Sequence, residues 1–201
     1  MRPTGEIDGV RTAQRAFLAA VEGLDESSVR RPSALPGWSL AHVLAHVAAN
    51  ADSVTRRLRG CLAGEVVDQY PGGEQGRAEE IERLSAAGVV ELVARVRTTN
   101  AEVLAVVAEL EALPDEVWDR LSRAVGGRLV PARAVMWSRW RECVVHRTDL
   151  GLGHSVGDWP PALVERWLPD VLAGLPDRAD HAALLGWAVG RGPAPELDAW
   201  G

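Results

Sequence analysis

The sequence predicts an all-α fold, an antiparallel four-helix bundle with short extra helices. Three observations predict it. Apolar residues recur at spacings of three and four through four long stretches, as on helices that bury one face. Proline falls between those long stretches and not inside them. No internal repeat or low-complexity linker divides the 201 residues, a length that suits one domain with a full core.

The first helix spans Thr4 to Leu24, with Ile7, Val10, Phe17, Leu18, Val21 and Leu24 on one face. Arg31 to Gly37 is a proline-containing loop. Ser39 follows Trp38 as a helix N-cap, and the second helix runs from it to Leu62. Cys61 to Gly76 reads as a glycine-rich connector around Tyr70-Pro71-Gly72-Gly73. Arg77 to Ala87 is a short helix, and Val89 to Leu113 a long one that Pro114 stops. Val117 to Val130, with Gly126-Gly127 inside it, reads equally as a small hairpin or a loop. A helix from Pro131, placed at its first position, continues to Leu150. After the turn Gly151 to Asp158, Pro160-Pro161 opens a helix to Gly174. Asp177 to Val189 forms the last helix, and Gly190 to Gly201 a proline-rich tail. The expected organisation is a metal-binding bundle over residues 1–150, with the C-terminal helices and tail of 151–201 packed on it as part of one domain.

Composition narrows the function. Net charge is −6 and the pI about 5.4. Neither a nucleic acid nor an anionic membrane surface suits such a chain. Every fixed side-chain cation is Arg, with no Lys, which reflects a GC-rich coding bias more than a mechanism. The polar start, Met1 to Asp8, lacks the apolar core of a signal peptide, and no apolar run nears the ~20 residues of a membrane span. A cytoplasmic location is therefore expected. Cys61 and Cys143 are far apart, form no CxxC pair, and read as small buried hydrophobes rather than a disulfide or thiolate cluster.

The chemistry concentrates in two helices. Glu142 and His146 lie four apart, on one face and one turn from each other. His42 and His46 repeat that spacing on the second helix. If the two helices face each other, three or four ligands converge inside the bundle, a common place for metal sites. His46, set among Leu44, Val47 and Ala48, is the deeper of its pair. The candidate ligands are His46, Glu142 and His146, with His42 and Asn50 behind them or facing substrate; the plainer alternative is a solvated, hydrogen-bonded Glu142–His146 pair and surface or satisfied core histidines. Two His and one Glu leave zinc a fourth, open position, and they also suit nickel or iron. Trp38, Trp137 and Trp140 flank the motifs, as pocket walls or as packing aromatics. Trp38 and Asn50 are the candidate cofactor contacts. Asp52 and Asp149 are placed either to orient a ligand imidazole or to brace helix ends.

The segment Leu35-Pro36-Gly37-Trp38-Ser39-Leu40-Ala41-His42-Val43-Leu44-Ala45-His46, continuing to Asp52, resembles the signature of the mycothiol-dependent maleylpyruvate isomerase family, within the DinB-like superfamily. Arg139-Trp140-Arg141-Glu142-Cys143-Val144-Val145-His146-Arg147-Thr148-Asp149-Leu150 resembles its second motif, and Leu184-Leu185-Gly186-Trp187 through Gly190-Arg191-Gly192 its C-terminal part. The resemblance implies a DinB-like bundle, zinc on His46, Glu142 and His146, and mycothiol as cofactor or co-substrate. It also implies a functional Arg before the third long helix, for which Arg77 is the nearest match. His42 would serve as a proton donor or acceptor. The isomerase is expected to carry a larger second domain than residues 147–201 provide here, which would move this chain away from maleylpyruvate.

The expected function is thus mycothiol-thiolate chemistry on an electrophilic small molecule, as S-transferase or cis-trans isomerase. Two alternatives come from other classes. One is a non-catalytic thiol- or metal-binding module. The other is a thiol-independent metal hydrolase, which needs a general base near the metal, with Asp52 and Asp149 as the candidates.

Overall fold

The computed structural model describes residues 1–198. It divides into two compact units, Met1–Ser155 and Val156–Gly201.

The first unit is built on four long helices: α1 (Thr4–Val21), α3 (Leu40–Ala63), α5 (Val89–Glu111) and α6 (Ala132–Asp149). A single turn, α2 (Glu26–Val29), precedes α3, and α4 (Gly73–Ser85) joins α3 to α5. Each long helix buries an apolar face. Phe17 and Val21 at the end of α1, Leu40 to Ala48 at the start of α3, Leu92 to Val96 at the start of α5, and Leu150 after α6 form one cluster. That shared end fixes the directions. α1 and α6 run toward it, α3 and α5 run away from it, so α1/α5 and α3/α6 are antiparallel pairs. The neighbours α3 and α5 are parallel because α4 returns the chain between them. Against α1, α6 packs so closely that a Cβ on Gly9 would fall into the Trp140 ring.

Most elements match the expectation, and the departures have local causes. The turn α2 went unread; it is held by the Asp25 carboxylate, which accepts from the Ser28 amide at 2.7 Å. The connector is shorter than expected, since α3 runs to Ala63 and α4 begins at Gly73. Gly72 and Gly73 take positive φ (76° and 65°) to turn the chain into α4, and Gly76 lies where any Cβ would meet the Pro71 carbonyl. These glycines start a helix; they do not loosen a loop. Between α5 and α6 the hairpin alternative is the one found. β1 (Leu121–Arg123) pairs antiparallel with β2 (Leu129–Pro131), and Gly126 and Gly127 turn at positive φ. Pro131 therefore ends a strand opposite Leu121 and caps α6 instead of opening it.

The second unit carries α7 (Pro161–Ala173), with Pro161 in its first turn, and α8 (His181–Ala188). α8 starts later than expected because Leu175–Arg178 form a 3-10 turn and Asp180 is the N-cap, accepting from the Ala183 amide at 2.9 Å. The expected tail extends over residues 199–201, which lie outside the described residues. Among those described, no helix is long and apolar enough to cross a membrane. Cys61 and Cys143 are free and buried.

Candidate metal centre

The antiparallel crossing of α3 and α6 decides where the motif residues meet. His46 sits in the second turn of α3, and Glu142 and His146 in the last turns of α6. Running in opposite directions, the two helices bring these three side chains to one level. Nε2 of His46 is 2.9 Å from Oε2 of Glu142, and Nε2 of His146 is 3.3 Å from the same oxygen. The two imidazoles meet edge to face with centroids 4.5 Å apart. One ligand atom from each residue lies within 4.8 Å of the others.

Burial makes the three groups unequal. His46 is 3% exposed, and that burial pushes it down to about 4, against the pull of Glu142. For His146 burial also opposes the charge, but hydrogen bonds to Asp149 and Glu142 together outweigh it and raise the group to about 9. Burial raises the Glu142 carboxyl, yet its bonds to both imidazoles win and hold it well below the usual range. The resting cluster is a neutral His46, an ionised Glu142 and a charged His146.

The surrounding groups orient the imidazoles. Asp149 accepts from Nδ1 of His146 at 2.8 Å, which aims Nε2 inward. An arginine has only donors, so the Arg77 guanidinium, 3.2 Å from Nδ1 of His46, gives that nitrogen a hydrogen bond. Nε2 of His46 then carries the proton and donates it to Glu142. The donor set fits a divalent metal. Three N/O ligands converge, one is already a carboxylate, and Glu142 and His146 keep a partial exposure through which a further ligand could enter.

The other expected site residues divide. Trp38 packs on His46 at 5.7 Å and on His42 at 6.1 Å between centroids, so it stands beside the centre. It also borders an open cavity of about 430 Å³ lined by the Pro32–Ser39 loop. Arg77 reaches the centre from α4 and lies 6.0 Å from the Tyr70 ring. His42 does not join the ligands. Its Nδ1 accepts from the Ser39 amide at 3.3 Å, and its Nε2 lies 3.5 Å from Glu82. Asn50 is buried, with its carboxamide oxygen on Arg139 rather than toward the centre. Trp137 and Trp140 meet edge to face, with ring centroids 5.8 Å apart. Of the two aspartates left open, Asp149 orients His146, while Asp52 pairs with Arg95. Arg139 and Glu82 went unread. Arg139 lies three residues before Glu142, on the same face, which was the available signal.

The mycothiol maleylpyruvate isomerase N-terminal domain matches residues 10–151. The chain belongs to this family. Among solved structures, a mycothiol-dependent maleylpyruvate isomerase aligns over 98% of this chain and 97% of its own, at 21% identity and a TM-score of 0.83. A histidine-to-alanine variant of that enzyme aligns over the same shares, at 20% identity and 0.82. YfiT from Bacillus subtilis, described as a probable metal-dependent hydrolase with an unusual four-helix bundle topology, covers 75% of this chain and 86% of its own at 18% identity, with a TM-score of 0.59. These likenesses establish the DinB-like bundle fold. No curated protein matches the sequence. The expected difference in C-terminal size is corrected. The solved isomerase chain is matched over 97% of its length, so it carries no larger second domain than residues 147–201 provide here.

Proposed function

We propose that this family member is a metal-dependent enzyme that uses mycothiol on an electrophilic small molecule, as a maleylpyruvate-type cis-trans isomerase or an S-transferase. The observation that carries this reading is the convergence of His46, Glu142 and His146 on one point in a bundle of the mycothiol isomerase family. His46 and His146 through Nε2, and Glu142 through its carboxylate, would hold the metal. Zinc is the metal we assign, with nickel or iron as the other ions such ligands accept.

A metal bound there would lower the pKa of a mycothiol thiol and so supply a thiolate at neutral pH for addition to an electrophilic carbon. The protein's own groups do the rest. Asp149 keeps the His146 ring in its ligating orientation. Arg77, partly buried beside His46, presents a planar guanidinium fork suited to a substrate carboxylate. Trp38 walls the approach on the His46 side. His42, at the start of α3 beside Glu82, is the remaining imidazole that can carry a proton at the mouth of the site.

The placement of the aspartates favours thiol chemistry over thiol-independent hydrolysis. Asp149 is committed to His146 and Asp52 to Arg95, so neither stands free as a base for a metal-bound water.

The test is elemental analysis of the purified protein beside Glu142→Ala, followed by assay with maleylpyruvate and mycothiol. About one metal per chain, lost in the variant, with turnover only when thiol is added, is the expected result. Product that keeps the thiol marks a transferase; regenerated thiol marks an isomerase. A wild type free of metal after chelator-free purification, or turnover indifferent to thiol, would overturn the reading.

A further inference from the structure

Arg139 is wholly buried and, among the described residues, makes no ion pair. A charge so placed is costly unless its hydrogen-bonding capacity is used. Three of its five N–H donors meet neutral acceptors, while Nε, also buried, meets none. One terminal nitrogen donates to the Val47 carbonyl at 2.9 Å and to Oδ1 of Asn50 at 2.8 Å; the other donates to Oδ1 of Asn100 at 2.7 Å. One side chain of α6 thereby grips two acceptors on α3 and one on α5.

The position of this grip is specific. Val47 follows His46 directly, and Asn50 lies one turn after it on the same face. Arg139 precedes Glu142 by three residues and His146 by seven. The grip therefore ties the turn of α3 that carries one ligand to the turn of α6 that leads into the other two. Metal ligation tolerates errors of only ~0.2 Å in ligand distance. The spacing between these helices matters more to the centre than to the core as a whole.

We infer that Arg139 is the positioning residue of the metal centre, setting the separation and register of α3 against α6 through Val47 and Asn50. The inference rests on the metal reading above. It makes the two asparagines unequal. Asn50 shares α3 with His46, whereas Asn100 lies on α5, which supplies no ligand.

The experiment uses the full chain loaded with Co²⁺ alone, in wild type, Arg139→Lys, Asn50→Ala and Asn100→Ala. Cobalt affinity and the visible d–d spectrum are read beside urea unfolding of the metal-free proteins. Lysine keeps the charge and loses the fork, so a change in that variant reports geometry. Expected are a tenfold or greater loss of cobalt affinity and an altered d–d envelope in Arg139→Lys and Asn50→Ala. Asn100→Ala should lose stability and keep the wild-type affinity and spectrum. If Arg139→Lys does not fold, the asparagine pair decides alone. Asn50→Ala with wild-type affinity and spectrum would reduce Arg139 to a core brace and overturn the inference. A wild type that takes up no cobalt would overturn the metal reading itself, and the inference with it.

Discussion

The Arg77 guanidinium and Nδ1 of His46 face each other at 3.2 Å, donor to acceptor. The contact requires the His46 tautomer that carries its proton on Nε2, the nitrogen a metal would need. Ligation at Nε2 moves the proton to Nδ1, where it meets the Arg77 donors. The two states of His46 are mutually exclusive, so metal loading would turn Arg77 away from His46 and, on the function proposed above, free it for a substrate carboxylate. Removing the guanidinium should therefore tighten metal binding. A hydrogen bond to a charged group contributes roughly 1.5 kcal/mol at the lower end. The expected gain in Arg77→Ala is about tenfold in affinity, as 1.4 kcal/mol corresponds to a factor of ten. Competition against a chromogenic chelator measures it. Unchanged or weaker binding would mean that Arg77 does not compete for the tautomer.

Metal and proton should compete at His146. With its pKa raised to about 9, the imidazole is charged at pH 7 and must lose that proton to ligate. Loading at pH 7 should release close to one proton from His146, while His46 is already neutral. Apparent affinity should fall about tenfold per pH unit from 8 to 6, because one proton is displaced. Calorimetry in buffers of different ionisation enthalpy counts the protons. A count near zero would show His146 neutral at rest.

The metal-free protein should be most stable near pH 6.5. His146 is raised from 6.5 to about 9, so its contribution is complete below 6.5 and is lost as pH climbs through 9. His46 is lowered to about 4, so its contribution is complete above 6.5 and is lost as pH drops toward 4. Urea midpoints across pH 4 to 9.5 test both limbs. In His146→Ala the alkaline limb should flatten, and an unaltered limb there would assign it to other groups.

Gly9 predicts its own sign. In an open helix interior Gly→Ala gains roughly 0.5–1 kcal/mol. Here the added methyl would enter the Trp140 ring, and overpacking costs about 1–3 kcal/mol. Gly9→Ala should be destabilised in urea unfolding, with partial recovery in combination with Trp140→Leu. A stabilised single variant would show that α1 and α6 are farther apart than described.

Much of this arrangement is legible in the sequence because it rests on periodicity. Leu40, Val43, Leu44, Val47, Val54 and Leu58 are all buried, as their spacing indicates. Glu142 and His146 share a face for the same reason. What periodicity cannot convey is which helices touch. The tie between Arg139 and Asn100, and the parallel course of α3 and α5, depend on the ring order of the bundle. Asn50 carried the right face and the wrong neighbour, since a polar residue one turn below a ligand meets whatever α6 places opposite it. The glycines near Tyr70 misled in another way. Gly72 and Gly76 meet demands of backbone turn and clearance that composition alone assigns to flexible loops.

The return helix α4 has a consequence for how such a protein can change. The ligands belong to α3 and α6, whereas Arg77 arrives on the segment that carries the chain back between α3 and α5. On the function proposed above, ion capture and the choice of what is brought to the ion would be written in separate stretches of sequence. Descendants could vary the exposed positions of residues 64–88 around an unaltered set of ligands, so long as Ile81 keeps its place in the core cluster.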